Sequence, residues 1–239
     1  MTKDRGGYSA FKSIVDNRFL GGYPSSFLDV GANIGQTVRA VKVAFPDARV
    51  VAVEPVPESY RKLVENVAGE QNVRTANIAL GAADGQIRMT ARGVSTGNYV
   101  ISEREDVTRV PCITVPTMRG DTFLKEMELT TVGYLKIDTE GYDLEVLKGF
   151  AASLQRQLID YVEVEAGLSC DNARHVPFEL LKQYLEALDY RLLQIKDVAA
   201  ETHFKGLANL RRCNLVFASK ALLERERVAP TRLAMLQKS

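Results

Sequence analysis

Apolar residues fall in short runs closed by glycine or proline, and these runs alternate with segments whose apolar positions recur at helical spacing. "SSFLDVG" (25–31) reads as a buried strand that stops at Gly31. "QTVRAVKVAF" (36–45) has a helical apolar stripe and ends before Pro46. "ARVVAVEP" (48–55) is a second apolar strand, closed by Pro55. "PESYRKLVENVA" (57–68) is a helix with Pro57 in its first turn, a favoured position. "NVRTANIAL" (72–80) reads as a third strand. The order strand, helix, strand, helix, strand predicts a parallel sheet with helices on its faces.

Residues 81–116 break this alternation: "GAADGQIRM", "GNYVIS" and "VTRVPCITV" read as short strands joined by Gly-rich turns, an antiparallel excursion or a loop insertion. Alternation resumes with a helix around 119–127, a strand over 132–138, a helix over 142–149 and a strand over 158–165. A helix near 177–188 and strands over 190–195 and 213–219 follow. The last two, separated by a polar loop carrying His203, have the makings of an antiparallel pair. Residues 8–20 predict a short N-terminal helix, and the stretch from 220 a terminal tail with a helical first part. The reading is one domain over 1–239, with 1–24 an N-terminal extension.

Composition narrows the partners. Thirty-one Lys and Arg stand against thirty Asp and Glu, so no general nucleic-acid surface is expected. Cys112, Cys170 and Cys213 lie far apart with no CxxC pair, which predicts a reducing compartment rather than a disulfide framework. The first residues carry no apolar leader core, and no apolar run approaches the roughly 20 residues of a membrane span. A cytoplasmic protein is the expectation.

"FLDVGANIGQT" is a strand, a glycine turn and a helix start, and in open α/β sheets ligands sit beyond such strand ends. Gly31 permits the turn, and Gly35 permits a ligand or the sheet to approach the helix closely. Glu54 ends the second strand 19 residues after Gly35, where its carboxylate can accept hydrogen bonds from both hydroxyls of a ribose. Each such bond contributes about 1.5–3 kcal/mol. The dinucleotide fingerprint is absent, because Asn33 stands where its second glycine would. Asp29 precedes Gly31 by two residues and would repel a pyrophosphate. It suits an ammonium, which points to S-adenosylmethionine.

"YLKIDTEGYD" (134–143) carries Lys136, Asp138 and Glu140 on alternate positions, which predicts one face of a strand end near the crevice mouth. Asp138 is open to three roles: orienting the acceptor, acting as general base, or ligating a metal. "YVEVEAG" puts Glu163 and Glu165 on one face of the next strand. Lys136 is the expected counter-charge, and a divalent metal is a second, less favoured way to balance these carboxylates.

"FLDVGANIGQT", "VAVEPVPESYRKLVENV", "ANIALGAADGQI", "LKIDTEGYDLEVLKGF" and "VEVEAGL" together resemble the FkbM family of S-adenosylmethionine-dependent methyltransferases, collinearly over about residues 26 to 219. The resemblance implies an α/β class I, Rossmann-like fold: a mostly parallel seven-stranded sheet, helices on both faces and an antiparallel last strand. It implies O-methylation, with acceptors such as sugar hydroxyls of glycans, lipid-linked saccharides or glycosylated metabolites, or macrolide hydroxyls. By motif, Asp29, Gly31, Asn33, Gly35, Glu54 and Pro55 would contact the cofactor, with Asn77 and Ala79 beside the adenine. Lys136, Asp138 and Glu140 would lie at the reaction site.

The general base is expected to be Asp138 or His203, His175 being the other histidine and, like His203, read as a surface-loop residue. Glu165 is a candidate to hold the acceptor or a metal. "GVSTGNYVIS" supplies Ser95, Thr96, Asn98 and Tyr99, hydroxyls and an amide beside an aromatic face, suited to a saccharide. A nicotinamide-dependent oxidoreductase and a binding module without catalysis remain the competing classes.

Overall fold

The computed structural model describes residues 24–95, 97–101, 110–203 and 207–227. The expected helix over 8–20, Thr96 and the end of the tail lie outside the described residues.

Strands β1 (Ser26–Val30), β2 (Arg49–Val53), β3 (Val73–Ala76), β7 (Val132–Ile137), β8 (Ile159–Gly167), β9 (Tyr190–His203) and β10 (Leu207–Ser219) form one sheet. Its order is β3-β2-β1-β7-β8-β10-β9, parallel except that β10 runs antiparallel to both β8 and β9. β1 and β7, buried at every residue but Gly133, occupy the middle, as strands covered on both faces do. The strand order reverses between β1 and β7, which places a topological switch point there.

Helices α1 (Gln36–Ala44), α2 (Pro57–Val67) and α7 (Lys220–Arg227) cover one face, and α3 (Gly120–Glu126), α4 (Asp143–Gly149), α5 (Ala151–Gln155) and α6 (Phe178–Ala187) the other. Pro57 opens α2 as its fixed φ predicts. Leu28, Val30, Leu135, Ile137, Val162 and Val164 pack under α4 and α6, while Phe27, Val50, Tyr134 and Tyr161 pack under α1 and α2. Alternation then puts Asp29, Lys136, Glu163 and Glu165 on the same face as Phe27, Tyr134 and Tyr161, the face under α1 and α2, nearer the strand C-termini. That face is apolar at one end and charged at the other.

Three expectations need correction. The strand expected over 72–80 is two: β3, and β4 (Ala79–Gly81), which belongs to a separate small sheet. The break falls at Asn77, whose amide nitrogen donates to the Glu54 and Pro55 carbonyls at 2.8 and 3.0 Å. In the small sheet β6 (Cys112–Arg119) lies between β4 and β5 (Gly85–Thr90). It is only half antiparallel, because β4 and β6 run parallel. Last, β9 and β10 extend well past the expected 190–195 and 213–219, so His203 ends a strand rather than sitting in a long polar loop. Among the described residues no helix is long and apolar enough to cross a membrane.

Candidate active site

A cavity of about 680 Å³ opens at the switch point. The turn after β1 forms its floor. Gly31 has φ +87°, and a Cβ there would stand 2.0 Å from the Asp138 carbonyl oxygen. Only glycine lets the ends of β1 and β7 meet so closely. The space beside Gly35 is filled by Leu63 and Val67 of α2, not by the sheet or a ligand. Asn33 adopts φ +49° and ties the turn to the next wall, its amide donating to the Ser95 carbonyl at 3.1 Å.

Glu54 lines the cavity just beyond β2. It accepts the Asn33 and Val56 backbone N–H groups, one on each oxygen at 2.9 Å, which leaves lone pairs on both oxygens. Burial pushes its pKa up to about 7, against the pull of the two N–H donors. Val56, Ala79 and Met89 form an apolar cluster behind it and also line the cavity.

The charges form a row across strands as well as along one. Lys136 is the register partner of Asp29 on β1 and of Glu163 on β8. Its Nζ lies 2.9 Å from Asp138 Oδ2 and 4.0 Å from Asp29 Oδ1. Burial disfavours the ammonium, but Asp138, Asp29 and Glu163 outweigh it and hold Lys136 charged. Asp29 is buried, and among the described residues neither oxygen has a hydrogen bond of normal geometry. Burial raises its pKa to about 6; Lys136 and, weakly, the Thr37 hydroxyl pull down, and Asp138 and Glu163 push up. For Asp138, burial pushes the carboxyl up, but its side chain is 42% open, so desolvation is partial and Lys136 pulls it below the ordinary range. Asp138 is therefore an ionised carboxylate facing the cavity.

The loop after β7 departs from the strand pattern. β7 ends at Ile137, Glu140 turns to φ +55°, and its carboxylate pairs with Arg174 at 3.3 Å rather than with Lys136. Burial, with Glu165 and Asp138, raises the Glu140 carboxyl, and Arg174 opposes this. Asp143, fully buried at the start of α4, braces the loop by accepting the Gly141 N–H at 3.0 Å. Burial, with Asp138 and Glu165, lifts it to about 7.

On β8 each glutamate has its own partners. Glu163 accepts from Lys196 at 2.9 Å, from Asn214 at 3.1 Å and from the Tyr134 hydroxyl. Glu165 lines the cavity, paired to Arg212 on one oxygen and to His175 Nε2 at 3.0 Å on the other. Lys136 is thus one of several counter-charges. Among the described residues no group of three or more His, Cys, Asp or Glu is placed to hold a metal ion.

The family model for the methyltransferase FkbM domain matches residues 29–192, which includes this turn and the charge row. The chain belongs to the FkbM methyltransferase family. It is 30% identical over 142 residues to the hexuronic acid methyltransferase AglP of Haloferax volcanii, a match covering 59% of this chain and 56% of that protein. It is 26% identical over 167 residues to methyltransferase 1 of Beauveria bassiana, covering 62% of this chain and 66% of that one. The chain thus spans little more than half of the first relative and just under two thirds of the second. Among solved structures, TehB from Haemophilus influenzae superposes with a TM-score of 0.50 at 13% identity, over 87% of this chain and 62% of that one, a likeness of fold alone.

The residues of the site match the parts of S-adenosylmethionine. A paired-hydroxyl acceptor (Glu54), an apolar slot (Val56, Ala79, Met89), the N-terminal end of α1 (Gln36, Thr37) and an under-solvated carboxylate (Asp29) occupy one cavity or its immediate floor. The group fits. The expected direct contact of Asp29 is not available here, since its oxygens lie beneath the wall; its charge acts from below.

Of the other expected residues, Gly31, Asn33, Pro55, Ala79, Ser95, Asn98 and Glu165 line the cavity, as do Lys136, Asp138 and Glu140. Asn77 does not; it staples the turn after β2. The polar groups of Ser95 and Asn98 close their own turn, Ser95 Oγ accepting Gly97 N–H and Asn98 Oδ1 accepting Arg92 N–H. Tyr99 faces a neighbouring cavity, and its ring has guanidinium carbons at 4.7 Å (Arg174) and 5.8 Å (Arg92), so its faces are not a vacant sugar platform. The side chain of His203 lies outside the described residues. His175 is buried beside Glu165, not on a surface loop. Arg212 and Arg174 escaped the sequence reading because each reaches the site from a strand or loop distant in the chain; Asp143 escaped it because it opens α4 and turns back on the loop through Gly141, a local bond that alternation does not show.

Proposed function

We propose that this chain transfers a methyl group from S-adenosylmethionine to a hydroxyl of a saccharide. The observation that carries the reading is the link Asp29–Lys136–Asp138, which joins a buried acid beneath the donor turn to an ionised acid in the cavity. The hexuronic acid named for one relative supports a sugar acceptor, free or lipid-linked.

The cofactor supplies an electrophilic methyl when bound. Glu54 would receive the cofactor's paired hydroxyls, and the turn over 31–35, with the Asp29 charge beneath it, would hold its ammonium end. Asp138 accepts a hydrogen bond from the acceptor hydroxyl and aims its lone pair. As the O–C bond forms and the donor's S–CH3 bond breaks to leave a neutral thioether, the hydroxyl becomes far more acidic, so a carboxylate below its usual range would suffice to take the proton. Lys136 keeps Asp138 ionised and in place.

Calorimetric titration with S-adenosylhomocysteine tests the donor half. Micromolar affinity, about −8 kcal/mol, lost in Glu54→Ala, is the expected result. Transfer of labelled methyl to a saccharide panel tests the acceptor half, and transfer only to non-sugar hydroxyls would overturn it.

A further inference from the structure

A second cavity, about 940 Å³, adjoins the first and shares Ile87, Val100, Glu140 and Tyr142 with it. It starts at the loop carrying Asp138 and runs outward between β5 and residues 173–174. Its charged wall, among the described residues, is two arginines, Arg88 and Arg174, against one glutamate, Glu140.

Arg174 is fixed from three sides. Glu140 holds one amino group at 3.3 Å, and the Tyr99 ring lies 4.7 Å beneath the guanidinium carbon. The backbone of Arg174 is packed so tightly on Gly141 that a Cβ there would stand 1.9 Å from its carbonyl oxygen. A guanidinium has five N–H donors in a rigid fork, and Glu140 engages Nη1. The remaining edge is a ready-made receptor for a planar or tetrahedral oxyanion, held with little entropy left to lose. Arg88 stands exposed on the facing strand and adds a second positive charge; its side chain has no hydrogen bond or ion pair among the described residues. An apolar or neutral acceptor would not need this arrangement.

We propose that the second cavity seats an anionic group of the acceptor, so that the substrate class is an acidic saccharide bearing a carboxylate or a phosphate. Arg174 reads the anion, Arg88 strengthens the field, and Glu140 serves to aim Arg174 rather than to react. The inference rests on the saccharide O-methylation proposed above. Glu140 lines both cavities and Asp138 the first, so the anion is expected next to the reacting sugar rather than far along a chain.

The test is a ligand-observed NMR titration of the full chain saturated with S-adenosylhomocysteine, using a methyl glucuronoside, a sugar 1-phosphate and a neutral methyl glucoside. The expected result is binding of an acidic probe about tenfold or more tighter than the neutral one, the worth of one charge-assisted hydrogen bond. Arg174→Gln and Arg88→Gln should each erase most of that preference while S-adenosylhomocysteine affinity is unchanged. The tighter of the two acidic probes tells carboxylate from phosphate. Equal affinity for neutral and acidic probes, failure of both acidic probes, or a preference that survives both substitutions would overturn the inference and leave the donor site standing. Loss of S-adenosylhomocysteine binding would overturn the reading beneath it as well.

Discussion

Asp29 and Lys136 are register partners on adjacent parallel strands, and their charged atoms lie 4.0 Å apart beneath the cavity. Lys136 is the cation shared by Asp29, Asp138 and Glu163. Lys136→Met keeps the stem and removes the charge, leaving buried carboxylates uncompensated. Breaking such a network costs about 3–5 kcal/mol, read as a fall in the urea midpoint. Adding Asp29→Asn should recover part of that loss, because the two sites are coupled. Strict additivity of the two substitutions would show that the row is not an interacting unit.

Stability should fall as pH rises through the range of the buried acids. Asp29 sits at about 6, and Glu54 and Asp143 at about 7, all above their unfolded values. Between roughly pH 4 and pH 7 the folded chain binds more protons than the unfolded chain, so unfolding free energy declines with pH. For Asp143, a rise of about three units corresponds to about 4 kcal/mol by pH 8. Asp143→Asn keeps an acceptor for Gly141 N–H and removes the charge. It should match the parent near pH 3, where the carboxyl is protonated in both folded and unfolded chains, and be more stable at pH 8 in urea melts. Equal stability of the two proteins at pH 8 would refute the burial argument.

Gly31 and Gly141 hold the two turns together. Alanine at either would have to occupy space 1.9–2.0 Å from a carbonyl oxygen at a positive φ. Each substitution should cost more than about 3 kcal/mol, seen as loss of folded yield or of the cooperative melt. Near-native melting of Gly31→Ala would mean that the ends of β1 and β7 can separate.

The central parallel strands were legible in the sequence because an apolar run closed by glycine or proline admits few other readings. Glu54 and Asp138 were legible because strand ends are where such folds place chemistry. Glu140 was misplaced because strand alternation was extended past Ile137, where the chain turns left-handed. Tyr99 was misassigned because its two arginine neighbours are seven residues before it and 75 after it. His175 reads as a loop residue in sequence, and only the fold brings Glu165 against it. Partners fixed by loops far apart in the chain leave no period to read.

Donor binding and chemistry should respond differently to acid. In the proposed reading Glu54 and Asp29 serve the donor as carboxylates, so S-adenosylhomocysteine affinity should weaken as pH falls through 7 towards 6. Asp138 stays ionised throughout that window, because Lys136 holds its carboxyl low. Turnover at saturating donor and acceptor should therefore carry no acid limb from Asp138. Asp138→Asn should lower turnover about a hundredfold or more with donor affinity retained. Near-parent turnover in Asp138→Asn would remove this carboxylate from the reaction.

His175 is placed to fix Glu165 rather than to touch substrate. Its Nδ1 lies 3.0 Å from Asn172 Oδ1. That amide is oriented by its own contacts: the oxygen accepts the Arg174 and His175 N–H groups, and the nitrogen donates to the Arg211 carbonyl. Nδ1 must therefore be the donor to Asn172. Nε2 faces Glu165 Oε2 at 3.0 Å, so a proton between them is what keeps that contact attractive. With Arg212 on the other oxygen, the Glu165 carboxylate is clamped at the cavity wall. His175→Ala should release it and lower turnover about ten- to a hundredfold, with acceptor KM raised and S-adenosylhomocysteine affinity unchanged. His175→Gln, which can still donate to Glu165, should recover part of the loss. A purely structural role would instead lower the melting temperature of both variants without the KM change or the recovery by glutamine.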